Sequence, residues 1–457
     1  MMYRYDTADT IVAPATPPGT GAIAVVRLSG PKAIAIADAL FPNVDLAKAK
    51  PRMVQYGVVA RDGEELDEAL VTVFRAPHSY TGEDVVEIST HGSMYVVRKL
   101  VQWCIDAGAR MAEPGEFTMR AFFNRKMDLS QAEAVIDIIQ ADSAAAHRQA
   151  MLQLRGAYSE QLQLLRKKII EFAALLELEL DFGEEDVEFA DRTQLRDTLK
   201  EILQITGELR DSYRLGVVVK EGVPTVIAGR PNVGKSTLLN ALLREQRAIV
   251  SDIPGTTRDV IEASLLIKGV RFRLIDTAGL RNTTDTIEAI GVQRAKEYLQ
   301  KSQLVLYVFD ATEQSFEAAK AEWEKLALPH AHVLFVANKW DLVGNDETSA
   351  NLQRDCIAIS ALHGHGLEAL KDRMYEMVIG DTALQEKTLV TNARHYQALV
   401  QAHEALERAL QGLEESLPAD LIAMDIRQAS HHLGAIIGEV DPEDLLDYIF
   451  ANFCIGK

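Results

Sequence analysis

Apolar and polar positions change their rhythm along the chain, and the changes divide it. In the first 120 residues, Ile23 to Leu28, Met53 to Ala60 and Ala69 to Phe74 are short runs rich in β-branched residues, which predicts strands. Asp62-Gly63 between the last two supplies a turn. Over Tyr95 to Ala107 the period lengthens, and Val97, Leu100, Val101, Cys104 and Ile105 fall on one helical face. This is the texture of a small α+β domain. From Leu129 onward the pattern predicts long helices. Ser130-x-x-Glu133 reads as a capping box that satisfies orphan N–H groups of a first turn. Tyr158, Leu162, Leu165, Ile169, Phe172 and Leu176 then recur at spacings of four and three, a stripe meant for partner helices. The acids Glu184, Glu185, Asp186 and Glu188 that follow read as a solvated loop.

Residues 218–380 alternate strand, loop and helix in the manner of a mostly parallel sheet. Helical periodicity returns after Asp381. Tyr396, Leu399, His403, Leu406, Leu410 and Leu413 form one stripe, and Ile422, Ile426, Ala429, Leu433 and Ile436 another. Asp441-Pro442-Glu443-Asp444 opens a last helix, with Asp as N-cap, Pro at the first helical position and acids facing the dipole. Each flanking helical segment carries an apolar face in need of a partner, so an inserted α/β module explains the order better than independent beads.

Composition narrows the function classes. A chain of 457 residues suggests about three domains. The 48 basic against 67 acidic residues leave a net charge of −19, so any nucleic-acid contact must come from a local basic patch. No apolar run is long enough for a membrane span, and Met1 to Ala13 lacks the apolar core of a signal peptide. The three cysteines, Cys104, Cys356 and Cys454, share no short metal-type spacing; a reducing, cytosolic compartment with free thiols is the expectation.

The candidate chemistry lies in the middle module. Gly229-Arg230-Pro231-Asn232-Val233-Gly234-Lys235-Ser236, followed by Thr237, fits G-x-x-x-x-G-K-[ST] between an apolar strand and an amphipathic helix. Its glycines let backbone N–H groups turn toward phosphate oxygens, Lys235 reaches the β- and γ-phosphates, and Ser236 ligates Mg²⁺. Asp276-Thr277-Ala278-Gly279 closes a strand where a carboxylate can hold the Mg²⁺ shell and a glycine N–H can sense the γ-phosphate. Gly255-Thr256-Thr257 lies between these motifs as a switch segment. Asn338-Lys339-Trp340-Asp341 ends another strand, and the Asp341 carboxylate can accept from guanine N1–H and the exocyclic amine. At roughly 1.5–3 kcal/mol per charge-assisted hydrogen bond, two such bonds favour GTP over ATP by about 10²–10⁴. Ser360-Ala361 follows a further strand and is placed to support the base through a backbone N–H. The position after the DxxG motif is Leu280, which cannot polarise water, and no segment is obviously an arginine finger. Catalysis must therefore recruit a polar residue and a positive charge from elsewhere; Asn232 offers an oxygen for a monovalent cation beside the phosphates.

Further motifs lie outside the middle module: Ala15-Thr16-Pro17-Pro18-Gly19, Arg27-Leu28-Ser29-Gly30, Tyr80-Thr81-Gly82-Glu83-Asp84, His91-Gly92, Pro114-Gly115-Glu116-Phe117 and Lys126-Met127-Asp128-Leu129. Phe453-Cys454-Ile455-Gly456-Lys457 ends the set. Through these motifs and the phosphate loop, the chain resembles the MnmE (TrmE) family of tRNA-modification GTPases across essentially its whole length. The resemblance implies a multidomain α/β architecture. An N-terminal α+β, tetrahydrofolate-binding-like dimerisation domain would span 1–122, with an all-α helical domain in two parts, 123–217 and 383–457. A Ras-like P-loop GTPase domain would be inserted at 218–382. The implied activity is installation of a carboxymethylaminomethyl or aminomethyl group at C5 of the wobble uridine of certain tRNAs. The implied partner is the flavoprotein MnmG (GidA), in a heterotetramer with a homodimer of this chain, and the carbon comes from methylene-tetrahydrofolate.

The resemblance also assigns residues. Asn232, Ser251, Ile253 and Thr256 would ligate K⁺, Ser236 and Thr257 Mg²⁺, with Asp252, Pro254 and Gly255 in the same loop. Glu288 would position the attacking water, although as a plain sequence position it begins a helix and is solvated. Arg27, Glu87, Lys126 and Lys457 match folate contacts for methylene- or 5-formyltetrahydrofolate, without revealing which residue serves which end. Cys454 is either a small core residue or a nucleophilic or redox thiol near the folate. Ser251 replaces a common threonine, and Thr20 stands where some relatives carry Arg. A second reading of the chain is a pure regulatory switch, such as a ribosome-assembly GTPase with extra helices.

Overall fold

The computed structural model describes residues 8–181, 192–244, 262–276, 299, 302–325, 332–343, 356–380, 388–439, 449–450, 453 and 456. The chain forms two compact units. The first comprises Met1–Ile139, Met151–Thr206 and Ala398–Lys457, and the second comprises Gln140–Ala150 and Gly207–Gln397, so the second interrupts the first in sequence. No helix among the described residues is long and apolar enough to cross a membrane.

The first unit contains a six-stranded sheet of β1 (Ile11–Pro14), β2 (Gly21–Ser29), β3 (Val54–Arg61), β4 (Glu64–Phe74), β5 (Val85–Gly92) and β6 (Arg110–Met111), in the order β3-β4-β5-β2-β1-β6. All pairings are antiparallel except β1 with β6. Asp62 and Gly63 link β3 to β4 with φ of 53° and 83°, the two positive values that a tight hairpin matched to strand twist requires. Helix Met94–Asp106 buries Val97, Leu100, Val101 and Cys104 as its spacing demands. The short strand β1 was not legible beforehand: four residues with no alternation carry too little pattern, yet Ile11, Val12 and Ala13 are fully buried.

The capping expectation is corrected by two residues. Helix Leu129–Gln140 is capped by Asp128, whose Oδ1 accepts from Gln131 N–H at 2.9 Å, while Gln131 Oε1 accepts from Asp128 N–H at 2.9 Å. Ser130 is instead buried, sharing a 3.0 Å hydrogen bond with the Ser159 hydroxyl. Both boxes share the same x-x spacing, and burial of Ser130 decides between them. In helix Ala157–Asp181 the whole stripe from Tyr158 to Leu176 is buried, and this helix packs against Ala419–Ile437, whose Ile422, Ile426, Ala429, Leu433 and Ile436 are buried in turn. Along Ala393–Glu414, Ala402, Ala405 and Ala409 join Leu399, Leu406 and Leu413 in the core, while Leu410 is only half-buried. His403 belongs to that core through a 3.0 Å hydrogen bond between its Nδ1 and the Thr206 hydroxyl.

The second unit is built on β7 (Val223–Ala228), β8 (Glu262–Ile267), β9 (Val270–Asp276), β10 (Leu304–Asp310), β11 (His332–Asn338) and β12 (Cys356–Ala358), in the order β12-β11-β10-β7-β9-β8. Five strands are parallel and β8 alone is antiparallel, at the edge. All seven residues of β10 are buried, as expected of a central parallel strand covered on both faces. Cys104 and Cys356 are free and buried, one in each unit, and burial pushes each thiol up to about 12.

Candidate functional site

Chain order explains where a ligand can sit in the second unit. From β7, the chain proceeds to β9 on one side and β10 on the other, so the loop after β7 leaves the sheet at a crevice beyond the carboxyl ends of its strands. The phosphate-loop motif, the start of DxxG, Asn338-Lys339-Trp340-Asp341 and Ser360-Ala361 all follow carboxyl ends, of β7, β9, β11 and β12 respectively. Four motifs separated by over a hundred residues thus share one edge.

Within the loop, steric facts account for the glycines. A Cβ on Gly229 would lie 2.1 Å from the Val308 carbonyl oxygen, and on Gly234 2.3 Å from Nδ2 of Asn338. Both have positive φ. Asn232 adopts φ 62°, a left-handed conformation that asparagine tolerates better than most residues, so its identity has a backbone reason apart from any cation. Lys235 is buried, and its ammonium donates to the carbonyls of Gly229 (3.0 Å) and Arg230 (2.6 Å), which keeps the charge inside the loop. Ser236 and Thr237 are exposed in the first turn of helix Lys235–Arg244, where the dipole favours an anion.

Asn338 ties the motifs together. Its Nδ2 donates to Val233 O in the loop at 2.8 Å, and its Oδ1 accepts from Ala361 N–H at 3.0 Å. The sequence marks Asn338 as a motif member, but this bridge appears only in three dimensions. Lys339, at φ 61°, donates to Asp310 at 2.5 Å. Burial works against ionisation of Asp310, but Lys339 and Thr312 outweigh it and hold the carboxyl below its usual range. Asp310 was missed in sequence; its place at the end of an apolar run was the available signal. Asp341 lines a cavity of about 300 Å³ together with Trp340, Ser360 and His365. A hydrogen bond from Ser360, with His363 and His365 nearby, keeps the Asp341 carboxyl below the usual range, so it is an anion ready to accept N–H groups. Ser251, Asp252, Ile253, Pro254, Gly255, Thr256, Thr257, Thr277, Ala278, Gly279 and Glu288 lie outside the described residues, as does the helix expected at Asp441. Asp276 is described as the last residue of β9.

In the first unit, Arg27 on β2 and Glu87 on β5 are register partners. Arg27 Nε and Nη2 both approach Glu87 Oε1, at 2.9 and 2.7 Å, and Nη1 donates to Gly456 O at 3.2 Å. The rings of Tyr80 and Phe117 lie 5.4 and 5.7 Å from the guanidinium carbon. Lys126 is exposed and donates to Pro77 O at 3.0 Å; among the described residues no hydrogen bond or ion pair joins it to Arg27 or Glu87. Cys454 and Lys457 lie outside the described residues.

The first unit also holds a charge network that the sequence did not announce. Arg120 is buried and pairs with Asp9, with Glu116 (2.9 Å) and with Glu83 (3.2 Å); Arg110 pairs with Asp9 (2.7 Å) and Glu116 (2.6 Å). Glu83 also accepts from the Ser29 hydroxyl at 2.7 Å, and that hydroxyl shares a 2.7 Å bond with Thr81. The network welds β2, the Tyr80–Asp84 loop and helix Glu116–Phe123 into one support.

Comparisons with known proteins agree in direction. A model described as the MnmE helical domain matches residues 129–454, and one described as the GTP-binding protein TrmE N-terminus matches residues 10–126. The tRNA modification GTPase MnmE of Cytophaga hutchinsonii is 50% identical over 450 residues, covering 98% of each chain. Those of Flavobacterium johnsoniae and Christiangramia forsetii are each 47% identical, covering 98% of this chain and 99% of the relative. Matched by a family model over more than half its residues and by relatives over nearly all of them, the chain belongs to the MnmE (TrmE) family of tRNA modification GTPases.

Proposed function

We propose that this protein is a GTP hydrolase acting in tRNA modification. The observation that carries the nucleotide part is Asn338, which locks the phosphate loop to the Ser360-Ala361 loop beside an ionised Asp341. Asp341 selects guanine by accepting its two N–H groups; adenine would leave that carboxylate unpaired. Lys235 exchanges its present carbonyl partners for phosphate oxygens, and the N-terminus of Lys235–Arg244 adds positive potential. The exposed Ser236, in that first turn, fits a Mg²⁺ ligand and would act with Thr257; the ion neutralises charge on the β- and γ-phosphates. Asn232, Ser251, Ile253 and Thr256 are proposed to hold K⁺, and Glu288 to orient the attacking water in place of the apolar Leu280.

The finer reading extends to the first unit. Arg27, Glu87, Lys126 and Lys457 are proposed to surround a tetrahydrofolate derivative that supplies the carbon for the wobble uridine of certain tRNAs, with Cys454 nearby. The Arg27–Glu87 pair supports this by presenting both charges on one sheet face. Homodimerisation through an N-terminal domain over 1–122, a helical domain over 123–217 and 383–457, a GTPase domain over 218–382, and assembly with MnmG complete the proposal.

A GTPase assay in K⁺ against Na⁺ tests the cation. Asn232→Gly removes the side chain while keeping the left-handed backbone available, so it should abolish K⁺ stimulation without collapsing GDP binding. A wild type indifferent to cation, with no uptake of 5-formyltetrahydrofolate, would instead favour a regulatory switch GTPase.

A further inference from the structure

Asn338 holds the phosphate loop at Val233, and a second hold lies earlier in the loop, at Arg230. Arg230 Nε donates to both oxygens of Glu322, at 3.1 and 2.9 Å, and its Nη2 reaches Oε2 at 2.7 Å. Glu322 stands 92 residues further along the chain, on helix Phe316–Glu324. Its carboxylate is engaged from two more directions: Gln314 Nε2 donates to Oε2 at 3.1 Å, and the Tyr307 hydroxyl donates as well. Arg230 foremost, and these two donors with it, hold the Glu322 carboxyl below its usual range against the opposing effect of burial.

The helix that carries Glu322 is itself anchored. Tyr307 is the register partner of Ala228, the last residue of β7, and its buried ring meets Trp323 edge-on at 5.7 Å. Trp323 and Ala319 bury one face of the helix in the same apolar cluster. On the loop side, the Arg230 carbonyl accepts from the Lys235 ammonium at 2.6 Å. One residue thus joins the helix, through its side chain, to the lysine of the phosphate site, through its main chain. An exposed ion pair adds little to global stability, but a two-pronged pair inside a network fixes geometry.

We propose that Glu322 is a positioning residue for the nucleotide site: it grips Arg230 and so holds the start of the phosphate loop, with the carbonyl that meets Lys235, in the arrangement that retains a guanine nucleotide. This rests on the nucleotide reading above and gives Arg230 no phosphate contact of its own.

Release of a fluorescent GDP analogue from the full-length protein, chased with excess GDP in the presence of Mg²⁺, reads the hold. Glu322→Gln keeps the volume and an acceptor for Tyr307 but turns a donor toward the guanidinium; it should speed release about three- to fivefold. Arg230→Met should do the same. The double variant should release no faster than either single one, because all three remove the same interaction. The urea midpoint of nucleotide-free Glu322→Gln should stay at the wild-type value. Were Arg230 a direct phosphate contact, freeing it in Glu322→Gln would slow release, and that sign overturns the proposal. It is equally overturned by release within about 1.5-fold of wild type, or by fold-changes that multiply in the double variant. A lowered midpoint would assign the effect to general destabilisation and overturn it too. Wild-type protein that takes up no GDP would sink the nucleotide reading itself, which every other result leaves standing.

Discussion

Replacing Asn338 with alanine isolates the bridge between the phosphate loop and the base-supporting loop. Asn338 is 3% exposed, and its carboxamide is the hydrogen-bond partner of Val233 O and Ala361 N–H. Truncation leaves two buried backbone groups to find new partners. At about 1–3 kcal/mol for each group left unsatisfied, the second unit should lose about 2–6 kcal/mol of stability. Part of that loss falls on binding, because the two loops must hold phosphate and base in one register. With about 1.4 kcal/mol for each decade in Kd, a GDP affinity tenfold to a hundredfold weaker is expected. Asn338→Asp sharpens the test. It keeps an acceptor for Ala361 N–H but points a carboxylate oxygen at Val233 O, so it should be at least as damaging. Calorimetric titration with GDP in the presence of Mg²⁺, alongside denaturant unfolding, measures both quantities. GDP affinity within about twofold of wild type in Asn338→Ala, with an unchanged unfolding midpoint, would refute the reasoning.

Two further outcomes follow from individual side chains. Asp341→Asn should move preference from GTP toward xanthosine triphosphate, because the exchange of acceptor for donor suits xanthine's carbonyl; undiminished GTP affinity in competition titrations would break the base assignment. At Asp9, burial opposes ionisation, but hydrogen bonds from Arg110 and Arg120 outweigh it and depress the carboxyl's titration. A depressed folded value means the unfolded chain binds the proton first, so this stabilisation is present above about pH 4 and is lost as pH falls through the folded value. Arg110→Gln should flatten that acid dependence in urea titrations between pH 5 and the acid limit; a slope equal to wild type would show that Arg110 does not govern Asp9.

Much of the nucleotide site was legible beforehand because phosphate loops depend on local backbone geometry. Gly229, Gly234 and Lys235 stand at fixed spacing on one strand–loop–helix unit, and no distant contact is needed to recognise them. Helical stripes were legible for a similar reason, since burial of Tyr158 through Leu176 follows from a period of 3.6 alone. Local pattern was weaker where two local solutions compete, as at Ser130 and Asp128, whose boxes differ only in which side chain the tertiary core buries. It was silent on Asp310, on the Arg110 and Arg120 network, and on the meeting of Arg27 with Gly456.

What the sequence determined by itself was therefore the longer local patterns, whose physics is settled within a few turns of chain: the rhythm of the longer strands and helices, the turn at Asp62-Gly63, and the glycine-lined loop. The tertiary structure alone decided which groups met across long stretches of chain, as Arg27 shows with the Glu87 carboxylate, 60 positions away, and the Gly456 carbonyl, 429 positions away. A charged side chain can be buried only where opposite charge and hydrogen-bond acceptors converge on it, and that convergence is a property of the folded chain.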